Sequence, residues 1–413
     1  MQAWLDNNKR LTLSSNQRGA ALLMLLLILL LGAAFVVMGD WSAIALKMER
    51  DNQTHTSLAV AKDALIAWSV LQGDIGTGTN PRPGTLPCPD TNDSGLQAAS
   101  CSAAGGTSIG RLPWKTLGIE DVRDADGERL WYAVSNNFRR TGTNNKPINS
   151  DTQGTLLLYA SNGIKLLTPT SEQLAAVIFS PGAPLAGQDR KTYPNKATSY
   201  LEAANNRNNA IASGPFIAGP IVNAQGEILL NDRLLTIAPQ ELIVALERRV
   251  LKEVENALAI YAAAQGGKYP NPAKYNGTNC SSAIASVTSP TTCRSSSSVC
   301  FGRLPEDVLG PHLPTWFLQN GWGRLITYAA NKNNILVNSA AECSAALNVD
   351  GSTKDYVVLT AGAPKNGQTR PSIMLASYLE NSANNDAWTS LSAGQDSFTA
   401  PHANSNDQLR SMP

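Results

Sequence analysis

Six residues between two cysteines carry the clearest arrangement of ligand atoms in this 413-residue sequence. Asp90-Thr91-Asn92-Asp93-Ser94-Gly95 puts side-chain oxygens at alternate positions, on Asp90, Asn92 and Ser94, with a glycine sixth. A calcium loop begins this way, because a hard cation needs several oxygens converging on one point and the glycine lets the chain turn sharply. The twelfth position, where such a loop supplies a bidentate glutamate, is Cys101. An Asx-rich turn uses the same residue types to hold its own backbone. The turn is the favoured reading, so no cofactor is expected and calcium is the less favoured one at this loop.

Other chemistry finds less support. The three histidines, His55, His312 and His402, are far apart, which argues against a triad or a histidine metal site. Gly-Ala-Pro-x-x-Gly-Gln-x-Arg, at 182–190 and 362–370, is glycine-rich, but no Lys-Ser/Thr follows, so it reads as a turn rather than a phosphate loop. Glu241, Glu247, Glu253 and Glu255 fit a solvated helix face, and Trp114, Trp131, Tyr132, Trp316 and Trp322 fit a core. With 33 basic residues against 32 acidic ones there is no basic face for nucleic acid. No catalytic residue is assigned, and the expectation is a non-enzymatic protein.

The elements that hold these residues begin with an apolar run. Ala20 to Met38 contains no charge. A helix of that length spans roughly 28 Å, close to the hydrocarbon thickness, and Lys9, Arg10 and Arg18 precede it. The expected placement is a single pass of the inner membrane, with the rest exported. Between Trp41 and Gln72 there is no Pro or Gly, and Leu58, Ala61, Leu65 and Trp68 form an apolar stripe. One long helix, ended by Gly73, is expected.

The exported part repeats itself. Cys88 and Cys101 are thirteen apart, as are Cys280 and Cys293, at a displacement of 192. The same displacement relates Gly110-Arg111-Leu112-Pro113 to Gly302-Arg303-Leu304-Pro305. Gly127, Tyr132 and Ala133 match Gly323, Tyr328 and Ala329 at 196, and Ser199-Tyr200-Leu201-Glu202 returns as Ser377-Tyr378-Leu379-Glu380. Such ordered matches indicate a tandem duplication. Residues 239–265 form the helix of the second copy, with Leu242, Leu246, Val250, Val254, Leu258 and Tyr261 on one face. Strands are expected at Arg129–Ser135, Thr155–Ala160 and Ala176–Ser180, then at Arg324–Ala330, Ile335–Asn338 and Tyr356–Thr360. If each copy keeps its own bridge, the disulfides are Cys88–Cys101 and Cys280–Cys293, leaving Cys300 and Cys343 as a pair private to the second copy. Structural zinc is the less favoured alternative, because the close cysteine pairs of a zinc site are missing.

Gln17-Arg18-Gly19 ahead of an apolar helix that starts with Ala20 resembles the leader of type IV pilins and type II secretion pseudopilins. The Leu-Pro-Cys-Pro, Gly-Arg-Leu-Pro and Gly-x-Arg-Leu-x-Tyr-Ala-Val elements resemble their heads. The resemblance implies cleavage after Gly19 by a prepilin peptidase and methylation of Ala20. It also implies partnership with other pilin or pseudopilin subunits and with an inner-membrane assembly platform. The implied fold is α+β, a long N-terminal transmembrane spine helix followed by two tandem heads, each a helix packed on an antiparallel sheet. The expected divisions are a leader at 1–19, the membrane and proximal spine at 20–57, a first head at 58–235, a second at 236–393 and a polar tail at 394–413.

Pilin subunits carry glutamate at the fifth mature position, where this chain has Met24. The departure suits a subunit with none above it to neutralise, as at a fibre tip. The expected function is therefore a minor, tip-located subunit whose heads serve assembly priming, adhesion or cargo contact. The alternative is an uncut bitopic inner-membrane protein with a periplasmic binding module.

Overall fold

A computed structural model describes residues 17–73, 83–99, 101, 107–139, 147–166, 173–212, 214–274, 293–296, 299–336, 347–365, 367–372, 374–385, 397–401 and 405–412. The chain divides into two compact units, Met1–His55 and Thr56–Pro413.

In the first unit the described residues belong to helix α1, Gln17–Leu71, which continues into the second unit. Among the described residues no helix is long and apolar enough to cross a membrane. From Lys47 the helix carries Lys47, Glu49, Arg50 and Asp51 in little more than one turn. This overturns the expected transmembrane spine and single-pass inner-membrane placement, and the bitopic alternative falls with them.

The second unit is mixed α/β with several small sheets, rather than two separate heads of helix on sheet. Its first large sheet has β1 (Thr107–Arg111), β2 (Trp131–Ser135), β3 (Ala176–Ser180) and β4 (Arg233–Ile237) side by side and antiparallel. Helix α2 (Pro239–Ala264) follows. The second large sheet has β5 (Phe301–Arg303), β6 (Ile326–Ala330), β7 (Tyr356–Thr360) and β8 (Gln408–Met412) in the same order and sense. The registers correspond: Gly110 faces Tyr132 and Gly302 faces Tyr328. A short parallel pair accompanies each large sheet, Leu158–Tyr159 with Phe216–Ile217 and Asn348–Val349 with Ser397–Phe398.

Packing explains why the halves are not separate. Along β2, Tyr132 and Val134 enter the same core as Leu58 and Leu65 of α1, Leu246 and Val250 of α2, and Tyr328 and Val358 of the second sheet. Trp131 and Ala133 face the other way, into a smaller core with Phe179, Tyr200 and Phe216. Both faces of the sheet are covered, so every residue of β2 and β3 is buried and no polar alternation marks them. Helix α2 is joined to α1 by Lys62–Glu241 at 2.5 Å and by the Arg249 guanidinium, which donates to the carbonyls of Val70 and Gln72.

Several expected elements are corrected. Gly-Arg of Gly-Arg-Leu-Pro adds a strand that was not expected in either copy. A Cβ on Gly110 would come within 2.5 Å of the Asp90 carbonyl, and one on Gly302 would strike that of Ala273. Each glycine thus lets a further extended segment bond across the edge strand, through Asp90–Arg111 and Ala273–Arg303. Expected strand Thr155–Ala160 shortens to Leu158–Tyr159, and Ile335 makes only a single bridge to Tyr269. Residues 394–413, expected as a polar tail, contain the edge strand β8. Glu247, expected on a solvated face, is fully buried.

Candidate functional site

The repeated motifs fold together in each copy into one braced polar cluster. In the first, the Arg190 guanidinium donates to the carbonyls of Gly182 at 2.7 Å and Ser199 at 3.1 Å, and to Gln188 Oε1 at 2.8 Å. Gln188 donates to Glu202 Oε1 at 2.5 Å. The second copy repeats this: Arg370 donates to Gly362 at 2.7 Å, Ser377 at 2.5 Å and Gln368 Oε1 at 3.0 Å, and Gln368 donates to Glu380 at 2.8 Å. Gly-Ala-Pro-x-x-Gly-Gln-x-Arg and Ser-Tyr-Leu-Glu are therefore two sides of one structure. The carbonyl acceptors belong to a turn that the chain must hold without regular secondary structure.

Each cluster also stacks two arginines against a tyrosine. The guanidinium carbons of Arg111 and Arg190 lie 4.6 and 4.8 Å from the Tyr200 ring centre, and those of Arg303 and Arg370 lie 5.3 and 5.0 Å from that of Tyr378. A planar guanidinium can donate in its own plane while its face rests on a ring. This explains why arginine stands in Gly-Arg-Leu-Pro and in Gly-Gln-x-Arg of both copies.

A third piece was missed from sequence: Asn231-Asp232 and Asn406-Asp407. The amides of Asn231 and Asp232 donate to Glu202 Oε2 at 3.1 and 3.3 Å, and that of Asn406 donates to Glu380 Oε2 at 3.1 Å. The Asn231 and Asn406 side chains each donate to a turn carbonyl, of Ala183 and Ala363, at 2.7 Å. The shared pattern Asn-Asp-x-Leu at 231–234 and 406–409 was a legible signal. Burial, and then the neighbouring Glu202 charge, push the Asp232 carboxyl well above the usual range. Asp407 is pushed up to about 8 by burial and then by Glu380. In each pair the acids resist being ionised together. The glutamates are engaged by backbone amides and a glutamine, so the clusters brace the fold.

The two copies differ in their counter-charges. In the first, Arg190 pairs with Glu128 and Arg111 with Asp93, both at 3.0 Å. In the second, the displacement of 196 aligns Arg324 with Glu128, and Arg370 pairs instead with Asp151 of the first copy at 3.3 Å. Beside that pair, Glu247 accepts from Ser150 at 2.5 Å and from the Gly362 amide at 3.0 Å. Burial raises its carboxyl to about 7 against these bonds. Asn149 and Ile148 bond to Asn320 at 2.7 and 3.2 Å. Loop 147–151 thus ties the first copy to the second.

The Asp90 loop is a turn. Asp90 accepts from the amides of Asn92 and Gly95 at 2.9 and 2.6 Å, Asn92 from Ser94 at 3.3 Å and Ser94 from Leu96 at 3.2 Å. The oxygens considered for calcium are directed at their own backbone. Among the described residues no group of three or more His, Cys, Asp or Glu is placed to hold a metal. Cys88 and Cys101 are joined, with Cα atoms 5.6 Å apart. Cys293 and Cys300 each take part in a disulfide, while Cys280 and Cys343, their expected partners, lie outside the described residues. Gly19 and Ala20 lie within α1, and Met24 there is 70% exposed.

No family model, no curated protein and no solved structure matches the chain.

Proposed function

We propose that this protein is a non-enzymatic structural subunit of the pilin or pseudopilin kind, a minor component of a type IV pilus or secretion pseudopilus placed at or near the tip. The observation that carries this reading is the surface of α1. Leu22 to Leu30 are nine consecutive apolar residues, each more than half exposed in the single chain. Contiguous apolar surface of this kind calls for a cover, which the helices of neighbouring subunits supply in a fibre. The Gln17-Arg18-Gly19 junction just before it supports processing by a prepilin peptidase. Met24 in place of an acid supports a position with no subunit above. The braced clusters support non-enzymatic heads, because their polar groups are spent on holding turns.

A photo-crosslinking residue at Leu26, introduced in cells that assemble the fibre, tests the reading. Adducts with other fibre subunits are expected. Absence of such adducts, with the variant present at wild-type level, contradicts it.

A further inference from the structure

We propose that each copy carries a proton-binding site, one proton shared between Glu202 and Asp232 in the first and one between Glu380 and Asp407 in the second, and that Lys365 makes the second proton the more readily released. The backbone holds the acids of each pair side by side. The Glu202 amide donates to Asp232 Oδ2 at 3.0 Å, and the Asp232 amide donates to Glu202 Oε2 at 3.3 Å. In the second copy the Glu380 amide donates to Asp407 Oδ2 at 3.4 Å. The two carboxyls of each pair are also in hydrogen-bond contact with one another. Both aspartates are fully buried, and the Oδ1 atom of each meets no donor among the described residues. An ionised carboxylate only accepts, so two acids bond to each other only when one of them carries a proton.

The groups that touch the two pairs are neutral except at one position. Gln188 and Gln368 donate to the glutamates, and Arg190 and Arg370 act on them through those glutamines. Asn209 donates to Asp232 at 2.9 Å, and the Ser405 hydroxyl lies 3.5 Å from Glu380. The exception is in the turn. Gly-Ala-Pro-Leu of the first copy reads Gly-Ala-Pro-Lys in the second, so Lys365 stands where the first copy has Leu185. Its Nζ lies 3.8 Å from Glu380 Oε2. Among the described residues no cation pairs with Glu202 or Asp232. A cation beside the second pair lowers the cost of ionising both of its acids, while the first pair has only dipoles to offset that cost. Burial, then the partner glutamate, raises the Asp407 carboxyl to about 8 and the Asp232 carboxyl well above the ordinary range.

Carboxyl-carbon NMR on the full chain, labelled at aspartate and glutamate, tests this, with Asp232→Asn and Asp407→Asn assigning the signals. At about pH 6, where ordinary carboxyls are ionised, one protonated carboxyl per pair is expected. The proton of the second pair should leave at about 8 and that of the first at higher pH. Exchanging the residue that differs should move both. Lys365→Leu should tighten the second proton by about three- to tenfold, and Leu185→Lys should loosen the first by a similar factor. The two exchanges are independent, so either one suffices if the other does not fold. Finding both carboxyls of a pair ionised at about pH 6, or a midpoint that stays fixed in a folded exchange variant, would overturn the proposal.

Discussion

Asp151 and Arg370 lie 3.3 Å apart and belong to different copies of the repeat. The corresponding arginine of the first copy, Arg190, finds its acid, Glu128, within its own copy at 3.0 Å. The second cluster thus takes this acid from the first copy. Asp151→Ala is expected to destabilise the protein by about 2 to 3 kcal/mol, because Arg370 stays buried without its partner. Denaturant midpoints check this.

Glu247 gives the junction a pH dependence. Its carboxyl titrates at about 7 in the folded chain against an ordinary 4.5. The folded state therefore binds this proton more tightly than the unfolded state, and stability falls as pH rises from about 4.5 to 7, then levels off. The difference corresponds to about 3 kcal/mol. Glu247→Gln keeps an acceptor for Ser150 and Gly362 and carries no charge, so it should raise stability at pH 8 and flatten this part of the profile. Urea midpoints between pH 5 and 8 measure it.

Asp407 extends the same trend. With its carboxyl raised to about 8 from 3.8, its contribution declines between those values as pH rises. Asp407→Asn should remove the decline between pH 7 and 8 that remains in Glu247→Gln, read from the same midpoints.

The repeat was legible because its residues are constrained twice. Gly110 and Gly302 are fixed by a carbonyl that crosses the strand, and Arg111 and Arg303 by a tyrosine ring. Three things were hidden for physical reasons. Strand β8 reads Gln-Leu-Arg-Ser-Met and lies half-exposed at a sheet edge, so no apolar pattern announces it. Glu247 looks solvated from its own helix, since the groups that bury it, Ser150, Thr360 and Gly362, come from distant segments. The transmembrane reading rested on the run Ala20 to Met38, whereas among the described residues no helix is long and apolar enough to cross a membrane.

Gly110→Ala tests the close approach. Its new Cβ meets the Asp90 carbonyl within 2.5 Å, and neither backbone can yield without losing the paired bonds of Asp90 and Arg111 at 2.8 and 2.9 Å. A loss of about 2 to 3 kcal/mol is expected by thermal or urea unfolding.

The Cys88–Cys101 bridge closes a short loop around the Asp90 turn. Its removal by paired serine substitution should cost roughly 3 kcal/mol in the chain-entropy account. Unfolding curves with and without reductant measure the loss, and peptide mapping without reduction should recover the two cysteines on one linked peptide pair.

The mature N-terminus tests the proposed function most directly. Mass spectrometry of the protein from cells that carry a prepilin peptidase should find a chain beginning at N-methylated Ala20, shorter by the nineteen residues through Gly19. A bulky residue at Gly19 should block that processing. A chain that still begins at Met1 in those cells would contradict the account.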